Sequence, residues 1–67
     1  MIELLIAARK DAGLTQAEVG ARLKQRQTFV SKYELQERRL DAAEFVTACR
    51  VIGVNACDLI QQAEDSA

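Results

Sequence analysis

Apolar residues recur along this chain at intervals of three and four, and strand-type alternation is hard to find anywhere in it. Ile2, Leu5, Ala8 and Ala12 predict a first helix over residues 2–12, with Gly13 supplying a left-handed stop. Thr15-Gln16-Ala17-Glu18 has the spacing of a capping box, in which the hydroxyl caps the Glu18 amide and the carboxylate reaches back. A second helix therefore opens at Thr15, with Val19, Gly20 and Leu23 facing inward. The third covers residues 27–35. Asp41-Ala42-Ala43-Glu44 repeats the cap-like spacing and opens a fourth helix, whose inner face is Ala42, Phe45, Val46, Cys49 and Ile52 and which Gly53 ends. A fifth opens at Asn55, with Asp58 complementing the helix dipole and an inner stripe of Ala56, Leu59, Ile60 and Ala63. The polar tail, residues 64–67, is expected to fray.

Five helices joined by loops of two to six residues predict an all-α fold, a compact five-helix bundle in which residues 1–67 form a single domain. The second and third helices are short and separated by about three residues. That is too tight for a long antiparallel hairpin and fits a helix-turn-helix over about 15–35, with the two helices crossing steeply.

Composition narrows the chemistry. The chain has 67 residues, 49% apolar and 28% charged, which is globular rather than disordered. It contains no His and two Cys, Cys49 and Cys57. A four-ligand zinc site is not expected, and a Ser-His-Asp or Cys-His apparatus is impossible. Both cysteines read as reduced, half-buried packing residues of a cytoplasmic protein. No basic-then-apolar signal segment opens the chain, and the longest apolar run, residues 4–8, is far short of the ~20 residues of a membrane span. No catalytic residue, metal, cofactor, small-molecule ligand or membrane contact is implied.

Charge is unevenly distributed. Residues 22–39 carry Arg22, Lys24, Arg26, Lys32, Arg38 and Arg39 against Glu34 and Glu37, a net +4. Residues 40–67 carry Arg50 against Asp41, Glu44, Asp58, Glu64 and Asp65, a net −4. The whole chain is at −1, which argues against a general nucleic-acid binder, yet a concentrated basic middle is what a phosphate backbone requires. The same charges could also be a solvated helix face.

On the third helix, Gln27, Thr28, Ser31, Lys32 and Leu35 share one contiguous face. Gln can be bidentate to adenine, Lys can reach guanine, and Thr offers a hydroxyl and a methyl. The opposite face is Val30, Tyr33 and Glu34. A carboxylate beside a core valine needs a partner. Arg9, seven residues after Ile2 and so on the inner face of the first helix, can supply it; the alternative is two unrelated exposed charges.

The run Gly13-Leu14-Thr15-Gln16-Ala17-Glu18-Val19-Gly20, then Leu23, then Gln27-Thr28-Phe29-Val30-Ser31-Lys32-Tyr33-Glu34 resembles the phage-repressor and Cro-like (XRE-type) helix-turn-helix family. Glu37-Arg38-Arg39-Leu40-Asp41 followed by Glu44-Phe45 resembles one bacterial branch of it. The likeness covers about residues 2–62. It implies a lambda repressor-like, five-helix DNA-binding domain that acts as a homodimer on a palindromic operator of double-stranded DNA. By position, the resemblance puts Gln27, Thr28 and Lys32 at base edges with Ser31 beside them, Gln16 on phosphate, and Arg9 with Glu34 on a structural ion pair.

Three positions depart from the family pattern. Lys24 stands where Gly is frequent in the turn, so it takes a left-handed conformation or the turn is re-shaped. Arg26 replaces the usual cap of the third helix and opposes its dipole, which a bound phosphate would relieve. Gln36 stands where the third helix usually meets Gly. Phe29 packs under the loop after that helix or touches a thymine methyl.

The function expected is a sequence-specific DNA-binding transcriptional regulator, a repressor, with phosphate contacts from Gln16, Arg26, Arg38 and Arg39. The alternative is a protein-interaction module of the same fold, an antitoxin or anti-repressor partner. A dimer surface is expected on the fifth helix and the end of the fourth, where Val51, Val54, Leu59 and Ile60 oversupply one small core, with Leu59 or Ile60 crossing the axis.

Overall fold

The computed structural model describes residues 1–65. Five helices follow one another, α1 (Ile2–Asp11), α2 (Gln16–Arg22), α3 (Gln27–Glu34), α4 (Ala42–Ile52) and α5 (Ala56–Asp65). The protein is thus all-helical among the described residues.

Local chemistry sets the helix starts. The Thr15 hydroxyl accepts from the Glu18 amide at 3.1 Å, and the Thr15 amide donates to Glu18 Oε1 at 3.0 Å. The Thr15 amide, with its hydroxyl, holds the Glu18 carboxyl below the usual carboxylate range. Asp41 and Glu44 form the same reciprocal pair at α4, at 2.7 and 3.0 Å. Asn55 Oδ1 accepts from the amides of Cys57 and Asp58 at 2.8 and 3.2 Å and so caps α5. The chain leaves α1 through Gly13 and α4 through Gly53, both left-handed. Glu64 and Asp65 belong to α5 rather than to a frayed tail. Ser66 and Ala67, the rest of the predicted tail, lie outside the described residues.

Leu5, Val19, Val30, Tyr33, Cys49, Ile52 and Leu59 bury together, drawing on every helix. Burial pushes the Cys49 thiol pKa up. The inner faces differ from the sequence expectation at their edges. Val46 is 42% exposed, because it sits about 100° round α4 from Phe45 while the buried face runs through Ala48, Cys49 and Ile52. Ala12 and Ala42 are exposed at helix ends, and Cys57, expected to pack half-buried, is exposed in the first turn of α5. Ile60 is also exposed, at the margin of the α5 stripe, whereas Leu59 is buried.

α2 and α3 are in close contact along the turn that joins them. Gly20 makes this possible. A Cβ there would lie 3.1 Å from the Arg26 carbonyl carbon and oxygen, so the turn backbone runs directly over α2. The Gln25 amide donates to the Gly20 carbonyl at 2.8 Å, closing the turn.

Candidate nucleic-acid interface

One face of α3 is anchored. Val30 and Tyr33 are fully buried. Beside them Arg9 Nε donates to Glu34 Oε2 at 2.7 Å and Nη2 to Glu34 Oε1 at 3.2 Å, with side-chain exposures of only 11% and 7%. The third arm of the Arg9 fork, Nη1, donates to the Leu14 carbonyl at 2.9 Å. Gln16 Nε2 donates to Glu34 Oε1 at 3.0 Å. One carboxylate thus ties the starts of α2 and the end of α3 to α1, a planar fork meeting a carboxylate with both oxygens used.

Anchoring that face turns the other outward. Gln27, Thr28 and Lys32 are exposed and Ser31 is half-buried. Arg26 is the N-cap residue of α3, and its side chain makes no capping bond. The first amides of α3 therefore have no side-chain acceptor at the N-cap, where the exposed Arg26 stands. The side chains of Lys24, Arg26, Lys32 and Arg39 are exposed and enter no ion pair among the described residues.

Lys24 takes the left-handed conformation, with φ 59°, and so the turn keeps its shape at the expense of strain. Gln36 does the same at the end of α3, with φ 61°. Phe29 packs under the loop after α3. Its ring meets Tyr33 edge-on at 5.9 Å, and the Arg38 guanidinium lies over it, 4.7 Å from the centroid.

Two arginines have partners that no sequence motif announces. Arg38 Nη2 donates to Glu44 Oε2 at 2.8 Å, so the residue predicted as a phosphate contact is held by α4 and by Phe29 at once. Arg22 Nη1 donates to the Val51 carbonyl near the end of α4 at 2.8 Å. Arg22 was legible as part of the basic middle, and its position in the last turn of α2 gave no hint of a carbonyl on α4. Gln16, also predicted on phosphate, spends one amide hydrogen on Glu34 and keeps the second.

The predicted dimer residues separate. Leu59 is 5% exposed and belongs to the core of its own subunit, while Val51 and Val54 pack against that core. Ile60 is 41% exposed and lines an open groove of about 510 Å³, with Met1, Ile2, Leu40 and Phe45 as its other large apolar residues and Arg38, Arg39 and Asp41 as its charged ones. No helix among the described residues is long and apolar enough to cross a membrane.

A helix-turn-helix family model matches residues 5–59. A solved structure, an XRE-family like protein from Pseudomonas syringae pv. tomato str. DC3000, is similar with a TM-score of 0.94 and 47% identity, over 98% of this chain and 80% of that one. No curated protein matches the chain. The matched span takes in both helices of the turn, the Arg9–Glu34 tie and most of the core, and the chain belongs to the XRE-type helix-turn-helix family of DNA-binding transcription regulators.

Proposed function

We propose that this domain is a sequence-specific repressor that docks α3 in the major groove, as a homodimer on a palindromic operator. The observation that carries this is the two-sidedness of α3. Val30, Tyr33 and the Arg9–Glu34–Gln16 network fix one side, and Gln27, Thr28 and Lys32 stand free on the other. Gln27 pairs with an adenine edge, Lys32 with guanine, and Thr28 and Ser31 supply hydroxyls between them. Arg26, Arg39, Arg38 and the free amide hydrogen of Gln16 contact phosphate and set the register. Phosphate at Arg26 also meets the uncapped amides of α3 and offsets the unfavourable charge at that helix end.

One recognition helix covers too few base pairs for operator specificity, and two copies on half-sites about 34 Å apart supply the rest. With Leu59 spent inside the subunit, the exposed Ile60 and the apolar side of its groove are the surface for the second copy, and the Arg38 and Arg39 side is left to phosphate. The acidic α5 and the pI of about 5.3 favour a second reading, a protein-interaction module with little DNA affinity.

Titrating the protein onto operator-length duplex DNA at several salt concentrations separates the two. Three arginines from each subunit predict a log–log salt slope of roughly −5. A slope near zero, together with a stable complex with another protein, supports the second reading and contradicts the first.

A further inference from the structure

The outward face of α3 holds one residue that hydrogen bonding does not explain. Leu35 is 67% exposed, more than any other large hydrophobic side chain among the described residues. It is not loose loop. Its backbone stays right-handed helical as the C-cap of α3, and its amide donates to the Ser31 carbonyl at 2.9 Å, so it continues the helical register by one residue. In that register Leu35 falls between Thr28 and Ser31 on the face that also carries Gln27 and Lys32. Gln36 then turns left-handed and takes the chain away, leaving Leu35 as the last side chain on that face.

A helix rises about 1.5 Å per residue, which puts Leu35 about 12 Å along the axis from Gln27. A recognition helix lies along the major groove, so Leu35 follows Gln27 and Lys32 along the groove on the same face of α3. An apolar side chain in the groove has one partner of its own kind, the thymine 5-methyl group.

We infer that Leu35 is a specificity-determining residue that selects thymine by packing on its 5-methyl group. The inference rests on the DNA-reading role proposed for α3. Charge complementarity and continuity with Lys32 and Ser31 make DNA the occupant of this patch, not a second protein.

The test starts from the sequence that the wild-type protein selects from a random duplex pool. Thymines of each half-site are replaced one at a time by deoxyuridine, which removes the methyl group alone. At one position per half-site, wild-type affinity is expected to fall about fourfold for each methyl lost. Leu35→Ala is expected to bind the thymine and uracil duplexes equally, while Leu35→Met and Thr28→Ala keep the preference. Leu35→Ala is expected to melt within a few degrees of wild type, since its side chain is exposed.

The inference is overturned if wild type is indifferent to uracil at every position, or if Leu35→Ala keeps the preference. It also falls if Thr28→Ala abolishes the preference, or if Leu35→Ala changes the sedimenting mass instead. A selected motif without methyl sensitivity removes Leu35 alone. No selected motif at all removes the DNA-reading role with it.

Discussion

Arg9 and Glu34 offer the sharpest energetic test, because each is nearly removed from water and each has a secondary partner. Arg9→Met leaves the Glu34 carboxylate with the Gln16 amide alone, 3.0 Å away. Glu34→Leu leaves the Arg9 guanidinium with the Leu14 carbonyl alone, 2.9 Å away. Stranding one member of a buried pair costs about 3–5 kcal/mol, and the surviving hydrogen bond puts each single change near the lower figure. A chain of 67 residues has a total stability of roughly 3–10 kcal/mol, so either change alone takes much of it. At roughly 4–8 °C per kcal/mol, each single variant should melt about 12–24 °C below wild type. The double variant Arg9→Met/Glu34→Leu buries two apolar side chains and strands no charge. It should be more stable than either single variant, with a coupling of about 2 kcal/mol or more in a thermal-melt cycle. Additivity within about 0.5 kcal/mol would refute the reasoning.

Lys24→Gly and Gln36→Gly should each stabilise the fold by about 0.5–1 kcal/mol, because both residues sit left-handed at φ 59° and 61°, and a lowered melting temperature in either variant would contradict the strain argument. The Tyr33 hydroxyl is buried without a hydrogen-bond partner among the described residues, and burial, with Glu34 nearby, pushes its pKa up to about 12. The folded state therefore holds this proton more tightly than the unfolded chain. The associated stability is whole below about pH 10 and is lost as the pH rises through about 12. Tyr33→Phe should flatten that alkaline loss in pH-dependent melts, at little cost near neutral pH, and an unchanged alkaline limb would count against it. Ile60→Asp should shift sedimentation at micromolar concentration from dimer to monomer with only a small change in melting temperature. A wild-type monomer would remove the dimer surface and leave the reading of DNA by α3 standing.

Much of this architecture was legible because its causes are local. Thr15–Glu18 and Asp41–Glu44 lie within one helical turn, so the capping boxes could be read from spacing alone. The Arg9–Glu34 pair spans 25 residues, yet each member is a charge on an otherwise apolar stripe, and that anomaly is visible in sequence. The Arg22 bond to the Val51 carbonyl and the Arg38–Glu44 bond with Phe29 beneath carry no such mark. Their arginines lie in a basic stretch where any partner, or none, would look the same. Whether Gln16 turns to Glu34 depends on how α2 meets α3, which helical periodicity does not specify. Val46 and Ile60 were misjudged together. An apolar residue at the margin of a stripe is buried or exposed according to how far the neighbouring helix reaches, and here α4 rolls onto Ala48 instead.

The central claim, that the exposed face of α3 reads base edges, is tested most directly by selecting operators from a random duplex pool with wild type and with Gln27→Ala side by side. Gln27 is exposed and lies outside the buried core, so the fold should survive the change. The account predicts a two-fold symmetric motif for wild type, with half-site centres about 34 Å apart or a multiple of that. With Gln27→Ala, discrimination should drop by roughly 1–3 kcal/mol at one position in each half-site and hold at the others. An identical motif from both proteins, or none from wild type, would contradict it.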